Sequence, residues 1–93
     1  MRRLEATVHG LVQGVYFRYY TLQTAQKLEV VGWVANRRNG TVFVVAEGSA
    51  AALQQLLDFL HQGSPSAQVS RVEVQWLEPT HEFKTFQVKQ LWA

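Results

Sequence analysis

The chain has 93 residues, of which 47% are apolar, and nine basic and seven acidic side chains give it a net charge of +2. This length predicts a single domain over residues 1–93, with enough apolar side chains to form one core. Because the sequence contains no cysteine, disulfides, thiolate catalysis and cysteine-ligated metal centres are excluded. The mild positive charge suits a small anionic ligand as well as it suits a nucleic acid.

The N-terminal segment Met1-Arg2-Arg3 is basic, but no apolar stretch follows it. We therefore expect no secretory signal. No apolar run of the sequence reaches the length that a membrane-spanning helix needs. These features lead us to expect a soluble, cytoplasmic protein without a membrane partner, and we expect it to act as a monomer.

The first predicted element is a strand. Apolar and polar side chains alternate over residues 4–9, which is the period of a strand with one buried face. The apolar positions are Leu4, Ala6 and Val8. We expect this face to contribute to the core.

A short loop with two glycines follows the strand and leads into a helical pattern. Its backbone N–H groups converge, and the free N–H groups of the helix start add the positive end of the helix dipole. Arg18 falls in the first helical turn, where its charged fork can hold two oxygens of one phosphate. We therefore predict a phosphate-binding loop of these residues: Gly10, Leu11, Val12, Gln13, Gly14, Val15 and Tyr16.

A helix and a hairpin are predicted next. A β-branched and aromatic run over residues 30–36 indicates the second strand, and residues 41–46 indicate the third. Between them, Asn39-Gly40 is the strongest short signal for a hairpin turn. The stripe that the first helix would bury is Phe17, Thr21, Ala25 and Leu28.

The second helix has clear start and stop signals. Ser49 can cap its N-terminus, Gly63 ends it, and Pro65 prevents its continuation. Its apolar stripe has the spacing i, i+3, i+4, i+7. The residues of this stripe are Leu53, Leu56, Leu57 and Leu60.

Two more strands complete the predicted order. Residues 71–76 alternate in polarity up to a break at Pro79, and residues 85–89 are compatible with a short final strand. The order β-α-β-β-α-β predicts an α+β ferredoxin-like sandwich, an antiparallel sheet with two helices on one face. The first strand is then central with the third beside it, so the glycine loop and the hairpin should lie within reach of each other. The fold alone implies no function.

Two segments resemble the signature segments of the acylphosphatase family. The first is Gly10-Leu-Val-Gln-Gly-Val-Tyr-Phe-Arg18, and the second is Gly32-Trp-Val-Ala-Asn36, followed by Asn39-Gly40-Thr41-Val42. Length, element order and the run Ala46-Glu47-Gly48 before the second helix extend the resemblance over almost the whole chain.

The resemblance implies a hydrolase that splits acyl phosphates into a carboxylate and inorganic phosphate, without a metal or cofactor. Family members hold the phosphoryl group with an arginine, here Arg18, and place the attacking water with an asparagine, here Asn36. The loop backbone, here residues 10–16, cradles the phosphate oxygens. The resemblance therefore names a small acyl phosphate and inorganic phosphate as the binding partners.

Three features depart from the family pattern. Tyr16 occupies a loop position that is often small or apolar, and Arg37 follows Asn36 where some members carry a threonine. Some members of the family end just after the last strand, and their terminal carboxylate can pair with the catalytic arginine. In this sequence residues 90–93 run past that point.

The chemistry of acyl phosphates agrees with so small a site. The leaving group is a carboxylate whose conjugate acid has a pKa of about 4, so it departs without a proton. The transition state is loose, and catalysis is mostly positioning and charge stabilisation. Asn36 is neutral and offers both an acceptor and donors, so it can orient water without repelling phosphate. His9, His61 and His81 lack metal-ligand spacing, so we assign no metal.

Two other functions stay open at this point. The same fold builds RNA-recognition domains, which stack bases on aromatic residues of the central strands. The outward positions of the first strand are polar, and Phe43 is the one aromatic of the third, so we expect no nucleic-acid partner. A regulatory anion sensor would keep Arg18 but would not need Asn36.

Overall fold

The structure is a computed structural model that describes residues 1–92 of the chain. Seven helices and strands follow one another in the predicted order. They are β1 (Arg2–Leu11), α1 (Phe17–Lys27), β2 (Val31–Arg37), β3 (Val42–Gly48), α2 (Ala50–Gln62), β4 (Gln68–Leu77) and β5 (Phe86–Trp92).

The strands form one sheet in the order β4-β1-β3-β2-β5. Strand β1 pairs antiparallel with β3 and β4, and β3 pairs antiparallel with β2. The ferredoxin-like α+β fold is thereby confirmed, with the first strand beside the third.

The expectation of a fully antiparallel sheet is wrong for β5, which pairs parallel with β2. The reason is geometric. A loop at one end of the sheet joins β4 to β5, so the two strands run in opposite directions. Because β4 and β2 also run in opposite directions, β5 must be parallel to β2. The final strand is also longer than the predicted residues 85–89 and reaches Trp92.

The core lies between the sheet and the two helices. Leu4, Ala6 and Val8 of β1 are fully buried, as the alternation predicts, and Leu4 lies opposite Ala46 of β3. The predicted helical stripes face the same core, with Phe17, Thr21, Ala25, Leu53, Leu56, Leu57 and Leu60 all buried. Leu28, the fourth residue predicted for the first stripe, is the C-cap of α1 and is only partly buried. Each fully buried leucine contributes about 2 kcal/mol of hydrophobic stabilisation. Both helices therefore pack on one face of the sheet.

A buried carboxylate anchors the loop between β4 and β5. Glu47, near the end of β3, is 1% exposed and accepts hydrogen bonds from Arg3 Nη1 at 2.9 Å, Thr80 N at 2.9 Å, Thr80 Oγ1 at 3.1 Å and His81 N at 3.0 Å. Burial is the largest single influence on the pKa of Glu47 and raises it, but the hydrogen bonds together lower it to about 2. This loop returns the chain to the far edge of the sheet, where β5 reaches the site.

Candidate active site

The glycine loop begins within β1. Gly10 and Leu11 are the last residues of the strand, so the prediction that both belong to the loop is corrected, and the irregular segment is residues 12–16. A register shift between His9 and Gly10 turns the strand end, and a Cβ on Gly10 would collide with the carbonyl oxygen of Gln68. Gly14 has φ of +74°, which favours glycine, and faces open space. The two glycines therefore have different roles: Gly10 allows close contact between β1 and β4, and Gly14 allows the loop its backbone conformation.

Helix α1 starts without a side-chain cap. Its N-cap residue is Tyr16, with φ of +61° in the left-handed region, and the Tyr16 side chain makes no cap hydrogen bond. Within residues 1–92, no backbone N–H of residues 12–16 donates a hydrogen bond to another residue. Donors left open at a helix start, together with the helix dipole, form an anion site. Arg18 is the second residue of this helix.

Two side chains hold the loop in place. Gln13 Nε2 donates to the carbonyl oxygens of Arg37, at 2.7 Å, and Thr41, at 2.9 Å, in the hairpin between β2 and β3. On the other side, the buried Ser64 donates from Oγ to the carbonyl oxygen of Val15 at 2.7 Å. The loop and the hairpin therefore meet, as the predicted sheet order requires. Sequence reasoning missed Ser64, and its only signal is a polar residue just after the helix-ending Gly63.

The guanidinium of Arg18 is held by the backbone of β5. Its Nη1 donates to the carbonyl oxygens of Lys89, at 2.8 Å, and Gln90, at 3.1 Å. Among the described residues, Nε and Nη2 make no further hydrogen bond. The longer final strand thus supplies the carbonyl oxygens that hold Arg18. These acceptors could not be predicted from the sequence, because every residue has a backbone carbonyl group.

Asn36 lies at the end of β2, opposite Val42 of β3. Its Oδ1 is buried and has no hydrogen-bond partner in the part of the chain that the structure describes. A buried acceptor of this kind is normally satisfied by water or a ligand. Arg37 points to the other face of the sheet, where its guanidinium lies 4.8 Å from the ring centre of Phe43.

One cleft brings these groups together. It has a volume of about 470 Å³, and its lining contains Gly14, Arg18 and Asn36. Of the other predicted loop residues, Val12 and Tyr16 also line the cleft. Gln13 and Val15 are outside the lining and take part in the hydrogen bonds that hold the loop in place. Three further lining residues, Phe17, Tyr19 and Val88, were not predicted as site residues. The cleft therefore combines the guanidinium of Arg18 and the amide of Asn36 with Val12, Gly14 and Tyr16, whose backbone N–H groups donate to no other described residue.

Residues 1–92 contain no group of three His, Cys, Asp or Glu side chains arranged to hold a metal ion. No helix in the same part of the chain is long and apolar enough to cross a membrane.

The fold and the cleft define a class, a small α+β protein with a cleft at the start of its first helix that is lined by one arginine and one asparagine. The acylphosphatase family model matches residues 4–88. The acylphosphatase of Mannheimia succiniciproducens is 43% identical over 89 residues, which cover 96% of this chain and 99% of that protein. An acylphosphatase of an Acidovorax species is 54% identical over 67 residues, 72% of this chain and 69% of that protein.

A solved structure agrees with these sequence relatives. The crystal structure of acylphosphatase from Bacillus subtilis superimposes with a TM-score of 0.92 at 35% identity, over 96% of this chain and 99% of that one. The chain belongs to the acylphosphatase family, and it is a hydrolase that acts on acid anhydrides.

Proposed function

We propose that the chain hydrolyses the carboxyl–phosphate bond of acyl phosphates by direct attack of water, without a metal ion or cofactor. The glycine loop and Arg18 bind the phosphoryl group, and Asn36 positions the water. The observation that carries this proposal is that Gly14, Arg18 and Asn36 line the same cleft.

Phosphoryl binding uses charge and geometry that are present before the substrate arrives. The carbonyl oxygens of Lys89 and Gln90 orient Arg18 through Nη1, so Nε and Nη2 are available for a second pair of contacts. Arginine can bind two oxygens of one phosphate in this way. Backbone donors of the loop take the remaining oxygens, and neither contact requires reorganisation during the reaction.

The water molecule forms a new P–O bond as the bond from phosphorus to the acyl oxygen breaks. The electron pair of the broken bond leaves with the carboxylate, and the protons of the water pass to the phosphate oxygens and to solvent. Because the carboxylate is a weak base, no general acid is needed. The negative charge that spreads over the phosphoryl oxygens is stabilised by Arg18 and the loop donors.

Asn36 suits the water because its buried Oδ1 lacks a partner among residues 1–92. An amide oxygen can accept a hydrogen bond from one O–H of the water. This hydrogen bond orients the water so that a lone pair of the water oxygen faces phosphorus. A carboxylate in its place would repel the phosphoryl group.

We further infer that the chain works as one domain over residues 1–93, as a monomer in the cytoplasm, on small acyl phosphates. Nucleic acid is not part of this proposal, because the phosphate-binding groups that we invoke line the cleft of Arg18 and Asn36.

The test is hydrolysis of benzoyl phosphate by the pure protein in the presence of a chelator, followed by the loss of substrate absorbance. We expect fast hydrolysis that inorganic phosphate inhibits competitively. No hydrolysis by the folded protein would contradict the proposal, and activity that a chelator removes would contradict its metal-free form.

Arg18→Ala is the critical variant in this test. Because Arg18 is the only side-chain cation among the described residues that line the cleft, its removal should lower kcat/KM by at least about a thousandfold and abolish phosphate binding. Arg18 lies outside the core, so circular dichroism should stay unchanged. The control is Arg71→Ala, which removes an exposed arginine from β4 and should keep full activity.

A further inference from the structure

The cleft extends well beyond a phosphate site. Its volume of about 470 Å³ lies in the range of pockets for organic ligands, and a single phosphate group fills only part of it. Arg18 and Asn36 line it together with Gly14. The remaining described lining is apolar or aromatic, and it consists of Val12, Tyr16, Phe17, Tyr19 and Val88.

Tyr16 exposes a large ring at a costly backbone position. It is 77% exposed, and its φ of +61° lies in the left-handed region that side chains other than glycine avoid. Such a placement is typical of functional sites, where the surroundings hold a residue in an unfavourable conformation. Tyr16 is also one of the residues that line the cleft.

Tyr19 is also exposed, at 53%, and its ring is held from two sides. Its hydroxyl accepts a hydrogen bond from Gln23 Nε2 at 2.8 Å, and the ring of Tyr20 meets it edge-on at 5.6 Å. A ring that is fixed before binding loses little entropy when a ligand packs against it.

A third exposed residue of the lining is Val88, which belongs to a different element, β5. Buried Val12 and Phe17 form the floor. Among the described lining residues, Arg18 is the single charged group, so a second negative charge on the substrate would find no partner there.

We propose that Tyr16, Tyr19 and Val88 form an acyl subsite, and that the preferred substrates are acyl phosphates with an aromatic acyl group. This inference rests on the proposed function, because the phosphoryl end must lie against Arg18. A planar ring packs against tyrosine faces and edges and against the valine, whereas an acetyl group is too short to reach them. A dicarboxylic acyl group would bring a second charge into an apolar region and bind weakly.

The test is the ratio of kcat/KM for benzoyl phosphate to kcat/KM for acetyl phosphate. Tyr19→Ser should lower this ratio by about tenfold, because contacts between a pocket and one apolar group change specificity by that order. Tyr19→Phe keeps the ring and should keep the ratio within about twofold of the wild type. Leu77→Ser, an exposed apolar residue at the end of β4, is the matched control and should leave the ratio unchanged.

The ratio cancels any loss of folded protein, since both substrates report the same active fraction. Val88→Ser is a second variant from another element and should lower the ratio in the same direction. Binding supplies an independent measurement, in which phenyl phosphate should bind the wild type more tightly than methyl phosphate, and Tyr19→Ser should remove most of this difference.

The outcomes distinguish failure of the acyl subsite from failure of the proposed function. If the wild type hydrolyses both substrates and the ratio is the same in Tyr19→Ser and Val88→Ser, the subsite is refuted and the proposed function stands. If succinyl phosphate is hydrolysed as well as benzoyl phosphate, the subsite is also refuted. If the wild type hydrolyses none of the three, the proposed function and the subsite both fall.

Discussion

The chain passes from a strand to a helix twice on the same face of the sheet, and the two junctions are built differently. Between β3 and α2, Ser49 caps the helix by accepting a hydrogen bond from Ala52 N at 3.1 Å. Between β1 and α1, five irregular residues intervene and the N-cap is Tyr16, with no side-chain cap. One junction is closed by the protein itself, and the other leaves its donors open.

The difference shows where a helix start serves stability and where it serves binding. A capped helix start has its orphan N–H groups satisfied and has little left to offer a ligand. At the open junction the surroundings supply rigidity instead, through Gln13 and Ser64, which bind carbonyl oxygens and leave the N–H groups of the loop alone. Two residues before this cap, the buried Glu47 ties the end of β3 to the loop between β4 and β5.

After Arg18→Ala, the largest effect should come from Asn36→Ala, which removes the water-positioning amide from the cleft beside the open junction. We expect kcat to fall by about 100- to 1,000-fold, the range found when one positioned hydrogen-bonding group is removed from an active site. Inorganic phosphate should still bind with nearly unchanged affinity, because Arg18 and the loop donors remain. Equal losses of phosphate binding and turnover would contradict the role given to Asn36. The control is Asn39→Ala at the exposed hairpin tip, because this variant changes the turn and keeps Asn36.

At the closed junction, Glu47→Gln should destabilise the fold without changing catalysis at saturating substrate. The pKa of Glu47 lies at about 2, below its ordinary value of 4.5, and this difference corresponds to about 3 kcal/mol. A lowered carboxyl pKa adds stability above pH 4.5 that is lost as pH falls towards 2. Urea unfolding should therefore show a gap of about 3 kcal/mol between wild type and variant at pH 7, shrinking by roughly half at pH 3. If the difference in unfolding free energy between wild type and variant does not change with pH, the ionised carboxylate is not what stabilises the fold at this position.

The smallest effect belongs to the cap itself. Ser49→Ala should lower the free energy of unfolding by about 1 kcal/mol, because one N–H of α2 loses its acceptor. Its kcat and KM should match those of the wild type. Ser66→Ala, an exposed serine outside both helices, serves as the control and should alter neither quantity. A loss of activity in Ser49→Ala would mean that the two junctions are coupled.

Local signals in the sequence were sufficient for most of the fold. The alternation over residues 4–9, the cap at Ser49 and the Asn39-Gly40 turn each act through neighbouring residues, and all three are where the pattern predicts them. The direction of β5 was missed because it depends on the path of the loop after β4, which no local pattern encodes.

The candidate site divides in the same way. Arg18, Asn36 and Gly14 could be named from two short motifs, and they line one cleft. The contacts that orient them could not, because Arg18 is held by backbone carbonyls 71 and 72 residues away. Backbone acceptors are common to all residue types and leave no mark on the sequence. Tyr19 was missed because an exposed tyrosine on a helix carries no signal until its neighbours are known.

The central claim is that the open junction binds phosphate and the closed one does not. It is tested most directly by titrating the isotopically labelled protein with inorganic phosphate and following its backbone amide resonances. We expect saturable shifts of the amides of residues 12–18, with the amides of residues 49–52 unchanged. Shifts of equal size at both junctions, or none at residues 12–18, would contradict the account.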